Sequence, residues 1–321
     1  VTLVNDVGLA FAASTVDGVL SATATTGDIS DSGTQTILGA ATYITGVADS
    51  NIILNDGANT YAAGVIFRAD AGGETFGNLT FVDTGGIKLD SDANSAGDLF
   101  IDAATDGAVG GDLTLTSVTG NITQGVTVAV GGATSLTTSA NDATITLSNT
   151  SNAFTGAITL TTNDDDGTVA HATIDGGTTA LVIAESTVVG NLTLTSGNAS
   201  GITDSGTLTI GGNLSATTDA GDGVVNLGTL AVDGTIALAT NGTGDALVVN
   251  DAGLTFAASA VGQDLTATAT TGNIIDNAAV SVGRNLAVTA TADDGTVNLG
   301  TLEVDGTIAL TTNGTNGNVT L

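Results

Sequence analysis

The feature that most constrains this chain is that it repeats itself at two scales. Residues 223–243, GVVNLGTLAVDGTIALATNGT, and residues 295–315, GTVNLGTLEVDGTIALTTNGT, differ at three of 21 positions at an offset of 72. Residues 4–29 and 249–274 share 18 of 26 positions at an offset of 245. A finer unit lies inside both. Gly-Thr-Leu-Thr-Ile begins at Gly206, Gly-Thr-Leu-Ala-Val at Gly228, Ala-Gly-Leu-Thr-Phe at Ala252, Ala-Ala-Val-Ser-Val at Ala278 and Gly-Thr-Leu-Glu-Val at Gly300, a spacing of 22–26 residues. Units this short cannot each enclose a core, so they must stack on one another.

Within each unit the apolar residues alternate with polar ones, as in Leu113-Thr114-Leu115-Thr116 and Ile236-Ala237-Leu238-Ala239-Thr240. A period of two places one face inward and one outward, the pattern of a strand. Gly, Asn and Asp separate the runs, where left-handed turn conformations are needed. Thr, Gly, Val, Asn and Asp are poor helix formers, and nothing here favours helices. Paired hairpin turns are missing, which disfavours an antiparallel sandwich. The expectation is an all-β chain: a parallel β-helix (β-solenoid) of about 13 coils of 22–26 residues, with 1–321 as a single continuous solenoid.

The last three residues, Val319-Thr320-Leu321, repeat the first three, Val1-Thr2-Leu3, and so lead into Val4-Asn5-Asp6 with a period of 318. The expectation is one unit of a longer tandem or head-to-tail fibre, with partners found by end-to-end self-association or by continuation of the same chain. The opening VTLVNDVG carries neither Met nor a basic segment, and reads as a mature product or an interior fragment.

Composition narrows the function. Hydrophobic residues make up 41% and aromatics 3%, so a core is affordable only from Val, Leu, Ile and Ala. Three basic residues against 33 acidic ones, a net charge of −30, exclude the clustered Lys and Arg that nucleic acid requires, and disfavour an anionic membrane surface. No stretch approaches the ~20 apolar residues of a spanning helix, so no membrane insertion is expected. The chain contains no Pro, Cys, Met or Trp, and Arg68, Lys88 and Arg284 are its only trypsin-type sites. It therefore lacks disulfides, thiolate metal ligands and the usual oxidation targets. That suits long exposure outside a cell, although repeat expansion yields the same bias.

Candidate chemistry is sparse. His171 is the only histidine, beside Asp164-Asp165-Asp166, and without a second His or a Cys it cannot complete a common zinc set. A weak calcium site is conceivable at Asp164, Asp165, Asp166, Asp293 and Asp294, because turn carboxylates and carbonyls supply hard oxygen ligands. Asp90 and Asp92 also lie close in sequence. No EF-hand loop or calcium β-roll motif accompanies any of them, and solvated turn aspartates are the simpler reading. Catalysis on a β-helix, as in glycosidases, needs carboxylates beside basic or aromatic platforms that this composition hardly provides. A flat Thr ladder for ice, suggested by Thr266-Ala267-Thr268-Ala269-Thr270, conflicts with irregular coil lengths. Asn-x-Ser/Thr triplets such as Asn78 and Asn191 are expected by chance in so Asn- and Thr-rich a chain. No catalytic residue and no cofactor are expected.

The blocks Gly111-Asp112-Leu113-Thr114-Leu115-Thr116-Ser117, Gly120-Asn121-Ile122-Thr123-Gln124 and Gly201-Ile202-Thr203-Asp204-Ser205-Gly206-Thr207-Leu208-Thr209-Ile210-Gly211-Gly212-Asn213-Leu214 resemble the repeats of filamentous haemagglutinin-like and autotransporter-type giant bacterial exoproteins. So does Thr146-Leu147-Ser148-Asn149 leading to Phe154-Thr155-Gly156-Ala157-Ile158-Thr159-Leu160. The likeness covers most of the chain and is weakest around residues 40–105. It implies a right-handed β-helix, export by a Gram-negative cell and a location at the cell surface, in an adhesin or matrix fibre that meets a glycan or cell-surface receptor. The family's secretion domain and signal peptide have no counterpart in these residues. The expected function is an extracellular structural or adhesive shaft and not an enzyme; the alternative is a carbohydrate-active or ligand-binding secreted β-helix.

Overall fold

A computed structural model describes residues 1–69, 75–103, 105–165 and 170–321. It is a right-handed parallel β-solenoid of about 14 turns, and no helix occurs among the described residues. No helix is therefore long and apolar enough to cross a membrane. The chain divides into two compact units, Val1–Asp166 and Gly167–Leu321. Each contributes seven strands to one of the long sheets, one strand per coil. The count exceeds the expected 13 because several coils are shorter than 22 residues. Equivalent residues are 20 apart at Thr25 and Asn5, and 19 apart at Asp264 and Asp245.

Every printed strand pairing is parallel and in register. In the first unit Leu20–Ala24 pairs with Ala41–Thr45, which pairs with Val65–Ala69. On the facing sheet Leu79–Asp83 pairs with Leu113–Ser117, and that strand with Thr134–Thr138. In the second unit Leu192–Ser196 lies between Ala172–Asp175 and Leu214–Thr218. Alternation decides what each strand buries. In Leu192–Ser196 the residues Leu192, Leu194 and Ser196 are inside, and Thr193 and Thr195 face outward. Because the pleat has a period of two, in-register stacking puts Leu on Leu along the axis. The rare aromatics gather in the first unit, where Phe11, Tyr43, Phe67 and Phe81 stack edge to face at centroid separations of 5.5–6.0 Å. The buried hydroxyls of Tyr43 and Tyr61 hydrogen-bond each other at 3.2 Å.

A coil has one half with a single five-residue strand and another half with two short strands. The long strand changes sheet along the chain. In the second unit it lies in one sheet up to Thr235–Ala239, and from Ala246–Asn250 onward in the other. At the exchange Thr235–Ala239 carries both Leu254–Phe256 and Ser259–Val261 on its far edge. Backbone pairing and the in-out alternation are the same for either kind of strand, so the exchange leaves the core continuous.

One coil of the first unit is irregular. Equivalent positions Asn78 and Asp112 are 34 residues apart, against 21 from Asp112 to Ala133. The excess forms the strand Asp98–Asp102, which wedges out of chain order between Val65–Ala69 and Ile87–Leu89. This lies in the stretch where the sequence resemblance is weakest.

Truncating an inward residue should cost far more than truncating its outward neighbour. Leu194→Ala, at a fully buried position, is expected to lose about 2–5 kcal/mol, and Thr193→Ala under about 1 kcal/mol, in urea unfolding of the purified chain.

Candidate functional site

The residues that a sequence offers for chemistry are here mostly tied to the next coil. Where a strand begins, its preceding residue is usually Asn or Asp, and the side-chain oxygen accepts the backbone N–H of the equivalent residue one coil on. In the first unit Asp28 accepts from Asn51, Asn51 from Asn78, Asn78 from Asp112 and Asp112 from Ala133, at 2.6–2.8 Å. In the second unit Asn191 accepts from Asn213 and Asn213 from Thr235, both at 2.8 Å. A further run links Asp245, Asp264, Asn285 and Thr307 at 2.9–3.0 Å.

His171 belongs to the same ladder. It precedes the strand Ala172–Asp175, and its Nδ1 accepts the N–H of Asn191 at 2.9 Å. The alignment of His171-Ala172 with Asn191-Leu192 was the signal in the sequence for this role. The glycine before the ladder residue has a steric reason. A Cβ at Gly212 would lie 2.4 Å from Asn191 Oδ1 and 2.8 Å from the Gly190 carbonyl oxygen. Only glycine lets the two coils approach closely enough for the bond.

A second set of carboxylates sits at the other end of the short strands. Asp204 accepts from Gly228 N at 3.0 Å and from Thr229 N and Oγ1 at 2.7 Å. Its equivalent Asp276 holds Gly300 and Thr301 in the same way. Burial alone would raise the Asp276 pKa, but the bonds from Thr301 and Gly300 outweigh it and the net shift is downward.

The aspartates weighed for calcium fall in several places. Asp294 occupies a left-handed turn (φ 57°), as does Asp222 (φ 56°) in the preceding repeat. Asp222 accepts Thr243 N at 2.7 Å; Asp294 accepts Asn316 N at 2.8 Å and Asn316 Nδ2 at 3.1 Å. Those bonds from Asn316 lower the Asp294 pKa. Asp293 is exposed at the end of the strand Leu286–Asp293. Asp164 is half-buried and Asp165 exposed, and Asp166 lies outside the described residues.

Among the described residues, one trio of ligand-type side chains has its atoms within 4.8 Å of one another: Asp90, Asp92 and Asp98. Proximity in sequence pointed to the first two; Asp98 arrives only through the out-of-order strand. The Lys88 ammonium touches Asp90 and holds its carboxyl below the ordinary range. Asp98 accepts Ser95 N at 2.8 Å. Beside the trio runs a shallow groove of about 370 Å³, lined in part by Tyr61, Asp83, Lys88, Asp98 and Asn121. Arg68 pairs with Asp102 at 2.5 Å and Arg284 with Asp264, so each of the three basic side chains already has a carboxylate partner. The Arg284 bond pulls the exposed Asp264 carboxyl down to about 2.

A family model described as repeats of unknown function (DUF5649) matches residues 1–67 and 77–161, which fall in the first unit. No curated protein and no solved structure matches the chain. Nothing in these comparisons names a filamentous haemagglutinin or an autotransporter.

Two substitutions test the structural assignments. His171→Asn should leave the melting temperature within a degree or two, whereas His171→Ala strands the Asn191 amide and should cost about 1–2 kcal/mol. Asp83 is 2% exposed, and burial raises its pKa against the pull of backbone donors such as Tyr61 N. A raised folded-state pKa contributes stability at acid pH that is lost as pH rises through it. Asp83→Asn should therefore raise the melting temperature at pH 7, with the gain vanishing near pH 3.

Proposed function

We propose that this chain is a secreted structural shaft with an adhesive role, displayed at the surface of a bacterial cell. The observation that carries the reading is the ladder of Asn, Asp and His171 side chains. Groups that a catalytic site would hold ready serve instead to clamp each coil to the next. An outward face of Thr, Asn and Asp with a charge of −30 keeps such a shaft hydrated and self-repelling. Stability spread over many nearest-neighbour contacts, without disulfides or oxidisable Met, suits exposure outside the cell. The likeness to repeats of unknown function is compatible with a spacer or scaffold. Export by a Gram-negative cell rests on the resemblance to filamentous haemagglutinin-like exoproteins.

The second reading, a carbohydrate-active or ligand-binding β-helix, has one observation in its favour. The groove beside Asp83, Asp98 and Lys88 sets two carboxylates near an ammonium and a tyrosine. Its weakness is that Lys88 is already paired and Tyr61 is buried.

Antibodies raised against the purified chain should label intact cells of the source organism as strongly as permeabilised ones. Label that needs permeabilisation would contradict the extracellular placement. Glycan cleavage by the purified chain that is lost in Asp98→Asn would favour the second reading.

A further inference from the structure

The second unit contains an interface that its own last coil offers again. Inside the unit, the coil beginning at Val249 is seated on residues 225–248. Thr235 lies opposite Thr255, Ile236 opposite Phe256 and Ala239 opposite Ala260. The junction is closed by Ala257 N to Ile236 O at 2.9 Å, Thr240 N to Ala260 O at 2.9 Å and Asp251 N to Leu230 O at 2.8 Å. Buried Asn250 clamps it: its Oδ1 accepts Val232 N at 2.9 Å, and its Nδ2 donates to Val232 O at 3.1 Å and Gly253 O at 2.7 Å.

Both halves of this junction recur in the sequence, and neither recurrence is covered. Residues 297–315 repeat 225–243, so Ile308 stands where Ile236 does. Ile236 is fully buried, whereas Ile308 is 42% exposed. Val319 and Leu321 take the places of Ala246 and Val248; the former pair are 44% and 56% exposed, the latter at most 2%. Residues 4–29 repeat 249–274, and Asn5 stands where Asn250 does. Asn5 keeps the inner bond, Nδ2 to Gly8 O at 2.7 Å, but its Oδ1 accepts from no donor among the described residues. It is an asparagine with half of its clamp closed.

We propose that the face presented by residues 302–312 takes the coil of residues 4–16 of a second copy of this chain, head to tail. The register follows from the internal junction: Thr307 opposite Ala10, Ile308 opposite Phe11, Thr311 opposite Thr15, and the Asn5 side chain on the backbone of Val304. The partner is a second copy because the fit is between two stretches of this sequence, and because an interface of the same residues already exists within the chain. The junction holds a single strand corresponding to Ala246–Asn250. Residues 1–3 of one copy and 319–321 of the other both match its first half, so residues 1–3 of the incoming copy displace 319–321. Both faces are acidic, so screening by salt favours the association. The inference builds on the structural reading of the chain, but assembly is measured on purified protein and location on cells, so either can fail alone.

The chain has no Cys, which makes the register directly testable. A Thr307→Cys/Ala10→Cys variant, oxidised at ~0.5 M salt, should give a ladder of covalent multimers on a non-reducing gel. The off-register pair Glu303→Cys/Ala10→Cys should give none. Removal of residues 319–321 should strengthen assembly in sedimentation. Ile308→Asp, at an exposed position, should weaken it about tenfold or more with an unchanged melting temperature. A chain that stays monomeric at all concentrations with or without residues 319–321, or cross-links equally in both pairs, would overturn the proposal.

Discussion

The structure depends on a side-chain acceptor reaching from one coil to the backbone N–H at the start of a strand in the next. Stacked strands satisfy their own backbone groups, but at a turn the regular ladder stops and the amides lose their partners. In a parallel stack the equivalent residue of the next coil is one strand spacing away, ~4.8 Å. An Asn or Asp side chain spans that gap, and in one place a histidine ring does the same. The bond requires a glycine in the coil above, because a Cβ there would occupy the acceptor's position. The recurring sequence Gly-Asn-Leu or Gly-Asp-Leu is therefore one device: clearance, acceptor, first core residue.

Much of the acidity follows from this geometry. Asp112, Asp264, Asp204 and Asp276 face backbone or hydroxyl donors of the following coil, and Asp222 and Asp294 add a left-handed turn to the same task. A carboxylate in such a place gains from several donors while one edge stays in water, so little counter-charge is needed. That is how 33 acidic residues coexist with three basic ones, each of which is itself paired. The charge then acts outward as repulsion between neighbouring shafts and not as a site for an anionic partner.

The regular coils were legible because one period governs both the sequence and the stack. Leu192-Thr193-Leu194-Thr195 can only alternate in and out, and Gly228 and Gly300 mark equivalent places 72 residues apart. The motif also held the role of His171, which the search for zinc or catalytic partners passed over. The coil of 34 residues was not legible. Its extra strand, Asp98–Asp102, inserts against the chain order, and no local pattern near Asp90 announces that Asp98 will return beside it. The exchange of the long strand between sheets was equally hidden, because long and short strands share one alternation and one backbone bonding pattern. Coil count came out one low for a related reason: spacing read between Gly-Thr-Leu motifs misses coils shortened to 19 or 20 residues.

Hydrogen exchange at the amides of Asn191, Asn213 and Thr235 tests the coil-to-coil ladder most directly. These amides lie just before strands and are bonded only through the side chains of His171, Asn191 and Asn213. Protection comparable to that of the neighbouring strand amides Leu192, Leu214 and Ile236 is the predicted result. Exchange at the rate of open turns, with those strand amides still protected, would contradict it.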